Sequence, residues 1–131
     1  MKWSELQTPC ALVDLEVVAA NTSRMSERVS GLDVRLRPHV KTHKCVEAAR
    51  LQVRGHFGGI TVSTLAEANF FALAGFRDIT YAVPLAPSRI PEAAELSRLA
   101  RPLHVLLDHE QTLSALEEYG RAREGKFSAY L

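Results

Sequence analysis

The sequence has little of what marks several large classes of protein. Its two cysteines are too few for a disulfide framework, and they favour a reducing cytoplasm. Sixteen lysines and arginines face fifteen aspartates and glutamates, and a formal charge of +1 gives no electrostatic footprint for nucleic acid or an anionic membrane surface. No apolar run approaches the ~20 residues that cross a bilayer, and the amino terminus lacks the basic-then-apolar order of a secretory signal. We therefore expect a cytoplasmic protein without nucleic-acid or membrane partners.

Several catalytic and ligand motifs are also missing. The sequence has no Walker loop, no dinucleotide fingerprint and no nucleophile elbow. His39 and His43 are four residues apart, a spacing that forms a metal pair only on a helix, whereas this segment is predicted as strand and turn. We therefore expect hydrogen-bonded histidines here and no metal ligand in the chain.

The remaining composition is that of an ordinary globular domain, and short β-rich runs alternate with helical patterns along it. Hydrophobic residues make up 47% of the 131 residues and charged residues 24%. The predicted strands are residues 11–14, 34–41, 59–63, 78–84, 103–108 and 126–131. Counted from Ala11, Arg35, Gly59, Ile79, Leu103 and Phe127, the strand starts are separated by 24, 24, 20, 24 and 24 residues. This alternation predicts βαβ units and a parallel sheet.

Helix boundaries carry their own signals. Asp14 is suited to cap the first helix, and Thr64 with Glu67 forms a capping-box pattern at the third. Gly75 stands where a residue of left-handed conformation ends that helix, and Asp108 repeats the cap signal further on. Each predicted helix therefore follows a predicted strand directly.

Two architectures use such units. A flavodoxin-like sheet needs about five strands and suits this length, whereas an eight-stranded barrel needs ~250 residues. The last residues form a predicted strand with no helix after it, although both faces of a parallel sheet must be covered. That pattern favours an incomplete barrel.

Residues 35–44 carry the strongest chemical signal. In a strand, Arg35, Arg37, His39 and Lys41 share one face, and such a cationic row needs an anionic partner when both sheet faces are covered. Lys41 ends the strand, at the edge where βα folds place their sites. Neighbouring cations disfavour its protonation, so it is suited to attack a carbonyl. The alternative is an ordinary surface lysine. Ser63 also ends a strand, and either faces the same site or caps a helix.

The segment RPHVKTHK, residues 37–44, resembles the pyridoxal-phosphate lysine motif of fold type III D-amino-acid enzymes. These are the eukaryotic-type D-serine dehydratases and the low-specificity D-threonine aldolases. The resemblance extends to TPCALVD at 8–14, GITVSTLAEA at 59–68, DITYAVP at 78–84 and HVLLD at 104–108. It therefore covers nearly the whole chain.

The resemblance implies an α/β fold, the N-terminal portion of an alanine-racemase-like (β/α)8 TIM barrel that stops at about the sixth strand. Residues 1–131 are then a partial pyridoxal-phosphate-binding barrel, with the C-terminal β-domain outside this chain. Lys41 is implied to form the internal aldimine, a Schiff base, while Arg37 and His39 support cofactor binding. A divalent metal, expected to be zinc, is implied only with the C-terminal domain, and the full-length form is implied to be a homodimer.

The implied function is that of a pyridoxal-phosphate-dependent lyase acting on β-hydroxy D-amino acids. A D-serine dehydratase-like reaction, from D-serine to pyruvate and ammonia, is preferred because the segments around 35–44 and 61–68 match most closely. A D-threonine aldolase-like lyase and an amino-acid racemase are the alternatives. An inactive truncated chain, or a cofactor-binding module without turnover, is the alternative from another class.

Overall fold

The computed structural model describes residues 3–123 and 126–131 and shows a parallel sheet flanked by helices. The helices are α1 (Leu15–Ser30), α2 (Val46–Val53), α3 (Leu65–Leu73), α4 (Ile90–Leu96) and α5 (Glu110–Arg123). The strands are β1 (Ile60–Val62), β2 (Ile79–Pro84), β3 (Leu103–Leu106) and β4 (Ser128–Tyr130). They pair in the order β1-β2-β3-β4, and every pairing is parallel. The predicted α/β class with a parallel sheet is confirmed.

The two faces of the sheet differ in chemistry. One face is apolar and packs under the helices, and its buried members include Ile60, Val62, Ile79, Leu103 and Val105. On the other face, paired residues form a polar row across the sheet, which consists of His39, Thr61, Thr80, His104 and Ser128. Paired residues on neighbouring strands point to the same side, so this second face is the polar one.

The predicted helix boundaries are confirmed where the signal is local. Asp14 Oδ1 accepts hydrogen bonds from the N–H groups of Glu16 and Val17 at 2.9 and 3.1 Å. Gly75 has a φ of 96° and follows α3. Its N–H donates to the carbonyl of Ala72, and the next N–H donates to Phe71. These two hydrogen bonds satisfy carbonyl groups in the last turn of α3.

Two predicted strands are wrong. Residues 11–14 form no strand, and Leu12 and Val13 are exposed, because no other described segment pairs with them. In residues 34–41 only His39 pairs, through one parallel bridge to Thr61, with the Thr61 N–H donating to Pro38 O at 2.8 Å. Proline has no N–H to offer a ladder, and the chain turns directly after the bridge, so the strand does not extend.

The start of α5 also differs from its prediction. His109, and not Asp108, satisfies the first turn of that helix. His109 Nδ1 accepts from the Gln111 N–H at 3.1 Å, and its carbonyl accepts from Thr112 and Leu113. The cap therefore lies one residue later than the aspartate signal indicates.

Within residues 3–123 and 126–131, no helix combines the length and the apolar character that crossing a membrane requires.

Candidate active site

Lys41 lies in a short turn at the carboxyl edge of the sheet. Residues Val40–Thr42 form a 3₁₀ turn directly after the bridge between His39 and Thr61. Val40 is fully buried in the core, whereas the Lys41 side chain is exposed. Among the residues that the structure describes, none forms a hydrogen bond or ion pair with Lys41 Nζ. The buried valine therefore anchors the turn and leaves the amine accessible.

His39 holds the backbone of the turn. Its Nδ1 accepts from the Lys41 N–H at 3.3 Å, and its Nε2 lies 3.3 Å from Ser63 Oγ. Because Nδ1 is the acceptor, the neutral ring carries its proton on Nε2 and donates it to the serine. Burial and the nearby Lys41 lower the pKa of His39 below its ordinary value, against a smaller opposing effect of Glu67. The neutral ring that this bonding needs is thus the favoured form.

His43 repeats the same arrangement on the other side of the turn. Its Nδ1 accepts from the Cys45 N–H at 3.0 Å, and its Nε2 lies 2.9 Å from Gln52 Oε1 on α2. Two histidines therefore bracket Lys41, and each ties the turn to a different element. His39 and His43 are both hydrogen-bonded within the chain, as the sequence predicts.

Glu67 connects the turn to the first turn of α3. Its Oε2 accepts from the Ser63 N–H at 2.8 Å, and its Oε1 lies 3.1 Å from Lys44 Nζ. Its own N–H donates to Thr64 Oγ1 at 3.0 Å. Burial raises the pKa of Glu67, but the bond from Ser63, with the bond and charge of Lys44, outweighs it, and the net pKa lies below its ordinary value. The carboxylate is therefore the stable form.

Arg37 lies at the opposite, amino edge of the sheet. Its Nη1 lies 2.6 Å from Asp78 Oδ1 and 3.4 Å from the carbonyl oxygen of Ile60. Its guanidinium carbon stands 4.9 Å from the centre of the Phe57 ring, which adds a cation–π contact. Asp78 is thus the anionic partner of Arg37 alone, and the cationic row predicted for a strand does not form, because residues 34–38 are not a strand and Lys41 lies at the other edge of the sheet.

His104 continues that cluster across the polar face. Its Nε2 lies 3.3 Å from Asp78 Oδ1, and its Nδ1 lies 2.6 Å from Ser128 Oγ. The Tyr130 ring stands 5.0 Å away, tilted against the imidazole. The buried Thr80 Oγ1, in the same row, has no hydrogen-bond partner among the described residues. These contacts join the beginnings of β2, β3 and β4, nearer the amino edge of the sheet than Lys41.

The structure brings together only part of the predicted site. His39 contacts the Lys41 turn, and Ser63 faces it, with its hydroxyl turned to His39 and the capping role left to Thr64. Arg37 is engaged elsewhere, and its role in cofactor binding stays a prediction, as do those of Lys41 and His39. Sequence reasoning missed Glu67 and Lys44 as members of the site. The capping-box pattern pointed to Glu67, but only as a helix residue.

No metal centre is found in the described part of the chain. Within residues 3–123 and 126–131, no three histidine, cysteine, aspartate or glutamate side chains are grouped to hold a metal ion. The resemblance implies a metal only together with the C-terminal domain, and that implication stays a prediction.

Comparison with known proteins places the chain among proteins of one family. The family described as alanine racemase, N-terminal domain, matches residues 13–131. The D-threo-3-hydroxyaspartate dehydratase of Delftia sp. (strain HT23) is 42% identical over 126 residues, which are 96% of this chain and 33% of that protein. Its solved structure superposes with a TM-score of 0.89 over 95% of this chain and 33% of that one.

Two further relatives carry other activities in their names. The D-serine dehydratase of Dictyostelium discoideum is 37% identical, over 95% of this chain and 32% of that protein. The D-threonine aldolase of an Arthrobacter species is 32% identical, over 88% of this chain and 30% of that protein. The chain spans about a third of the length of the curated relatives it matches. Its fold is that of the N-terminal part of alanine-racemase-like barrels.

Proposed function

Since the chain belongs to the alanine racemase N-terminal domain family, we propose that it serves a pyridoxal-phosphate-dependent lyase in which Lys41 carries the cofactor. The substrate class is the β-hydroxy D-amino acids. The single observation that carries the proposal is the Lys41 turn, where an accessible amine stands on a buried anchor at the carboxyl edge of a parallel sheet. That edge is where βα folds place their catalytic groups.

The residues at this edge fit the cofactor in their chemistry. A carbonyl group condenses with an amine that is accessible and free of an ion pair, and Lys41 Nζ meets both conditions among the described residues. Pyridoxal phosphate, when bound, supplies an electron sink for carbanion chemistry at the α-carbon of an amino acid. The chain supplies the attachment point, its orientation and a local hydrogen-bond network.

Lys41 has a second task in this proposal. Once the amino group of a substrate has replaced Nζ on the cofactor, the freed amine would accept the proton from the α-carbon, the role of a positioned general base. His39 is suited to hold the turn and not to accept the substrate proton, because its ring nitrogens already bond the Lys41 N–H and the Ser63 hydroxyl. We therefore assign proton transfer to Lys41 and orientation to His39.

Among the lyase reactions, we propose a dehydratase. Two dehydratases match at 42% and 37% identity, against 34% and 32% for two kinds of aldolase. We propose a D-serine dehydratase-like reaction that releases pyruvate and ammonia. An aldolase that releases glycine and an aldehyde, and an amino-acid racemase, are the alternatives. A divalent metal such as zinc belongs to the proposal only through the resemblance, and no step of these residues is assigned to it.

We also propose that the full-length protein is a homodimer in the cytoplasm. A homodimer is supported by the resemblance, and a cytoplasmic location is supported by the low cysteine count.

Product analysis tests the proposed reaction. The protein is incubated with pyridoxal phosphate, zinc and, in separate samples, D-serine, D-threonine and D-alanine. Pyruvate and ammonia from D-serine support the dehydratase; glycine and acetaldehyde from D-threonine identify the aldolase, and L-alanine from D-alanine a racemase. Lys41→Arg should abolish product formation, and Lys126→Arg, which changes another exposed lysine, is its control. Cofactor on Lys41 without turnover of any substrate supports the binding module and contradicts the lyase.

A further inference from the structure

We propose that Glu67 is a positioning residue for Lys41, because its carboxylate holds the turn of that lysine from both flanks. The inference rests on the proposed function, since it concerns how the lysine is presented. It gives a role to a carboxylate that the sequence pattern alone explains as part of a helix cap.

The first flank is Lys44, three residues after Lys41. Lys44 has a φ of 49°, a left-handed conformation that residues with a Cβ rarely adopt. Its N–H closes the turn by donating to Val40 O at 2.9 Å. The ion pair with Glu67 favours this conformation, since it fixes the Lys44 side chain over α3. The turn thus closes where Glu67 can reach it.

The second flank is His39, two residues before Lys41. Glu67 does not contact this ring directly but orients Ser63 by accepting its N–H at 2.8 Å. The Ser63 hydroxyl then lies 3.3 Å from His39 Nε2, while His39 Nδ1 accepts the Lys41 N–H. One carboxylate therefore supports both the bond that opens the turn and the bond that closes it.

Glu67 is the fixed end of this arrangement. Its side chain is 10% exposed, whereas that of Lys44 is 63% exposed. A largely shielded carboxylate that already accepts from the Ser63 N–H loses little freedom when it binds Lys44, whereas a lysine on the surface has many other conformations. The conformation of the Lys41 turn therefore depends more on the Glu67 carboxylate than on Lys44.

Amide hydrogen exchange tests the inference without any cofactor. The protection of the Lys41 and Lys44 N–H groups is compared between the wild type and Glu67→Gln, whose amide oxygen can still accept from Ser63. We expect roughly fivefold faster exchange at Lys44, which loses the ion pair, and a smaller increase at Lys41, where the support through Ser63 remains. Lys44→Gln removes the other end of the ion pair from an exposed position, and it should speed exchange in the same direction.

Two variants separate positioning from general damage. Glu47→Gln makes the same change in the first turn of α2, where the carboxylate accepts from Cys45 Sγ, and should leave both amides protected. Thr64→Ala removes the cap of α3 but keeps the Glu67 carboxylate, so it should loosen the helix and not the turn. Wild-type exchange in both Glu67→Gln and Lys44→Gln overturns the inference. Equal loosening of the turn by Thr64→Ala overturns it as well.

A second readout concerns the reaction of the lysine. With pyridoxal phosphate and borohydride, Glu67→Gln should label Lys41 roughly tenfold more slowly at saturating cofactor, because a displaced reacting group reacts slowly. The half-saturating cofactor concentration should stay the same. An unchanged labelling rate contradicts the inference. Absence of label in the wild type contradicts the proposed function instead, and the exchange experiment still decides the role of Glu67.

Discussion

Arg37 Nη1 and Asp78 Oδ1 face each other across 2.6 Å at the amino edge of the sheet, on the far side of the polar row from Lys41. Their side chains are 20% and 25% exposed, so the pair is mostly shielded from water. Arg37 comes from the segment that leads to Lys41, and Asp78 directly precedes β2. The ion pair therefore fixes the irregular segment 34–38 to the sheet in place of the strand hydrogen bonds that it lacks.

Removing the charge of Asp78 should destabilise the protein. Asp78→Asn leaves the guanidinium of Arg37 without its anion, and we expect a loss of about 1–3 kcal/mol in the free energy of unfolding. Urea denaturation measures the loss. The matched control is Glu117→Gln, whose ion pair with Arg121 lies on the surface, and it should change stability by no more than about 0.5 kcal/mol. Equal effects of the two variants contradict this role of the pair.

Gly59 leaves the space that Arg37 occupies. A Cβ at this position would clash with Phe57 Cε2 and lie 2.7 Å from Arg37 Nη1. Gly59→Ala should therefore displace the Phe57 ring and the guanidinium that stacks on it, and lower stability by about 1–3 kcal/mol. Because part of this damage acts through Arg37, Gly59→Ala should cost less in the Asp78→Asn background, which a double-mutant cycle measures.

Gly31→Ala is the control for that substitution. A Cβ at Gly31 has nothing within 4 Å, so the change should leave stability within about 0.5 kcal/mol of the wild type. Strict additivity of Gly59→Ala and Asp78→Asn would show that the glycine acts on something other than Arg37.

Stability should fall as the pH falls through the range of the histidines. Burial lowers the pKa of His104 below its ordinary value of 6.5, and Arg37 acts in the same direction against Asp78. His39 is lowered as well, first by burial and then by Lys41. The unfolded chain thus binds more protons than the folded one in this range. The stabilisation is present above pH 6.5 and is lost as the pH falls toward the lowered values.

Denaturation at roughly pH 7.5 and roughly pH 5.5 measures this loss. His104→Gln, which keeps hydrogen-bonding groups but does not titrate, should reduce the difference between the two values. A protein that becomes more stable at the lower pH contradicts the direction of both shifts.

The parts of the fold that depend on neighbours in sequence were predictable. Asp14 caps a helix that begins one residue later, and Gly75 ends another with bonds confined to one turn. Strands β1 to β4 lie within predicted runs because their apolar residues repeat at the spacing of βαβ units. These features need no knowledge of the rest of the chain.

The parts that depend on distant partners were not predictable. Residues 11–14 have the composition of a strand, but a strand also needs a partner to bond, and composition does not show one. The ion pairs Lys44–Glu67 and Arg37–Asp78 join residues from different βα units, so periodicity gives no sign of them. For the site, the sequence indicated Lys41 and its neighbours in the chain. The role of Glu67 follows only from the folded structure, in which its carboxylate on α3 contacts Lys44 in the segment that follows Lys41.

Covalent labelling of the lysines tests directly whether Lys41 carries the cofactor. The protein is incubated with pyridoxal phosphate, reduced with borohydride and digested, and each lysine-containing peptide is examined by mass spectrometry. We predict a pyridoxyl group on Lys41, loss of that label in Lys41→Arg and its retention in Lys126→Arg. An unlabelled Lys41, or label spread equally over the other lysines, would contradict the assignment of Lys41 as the residue that carries the cofactor.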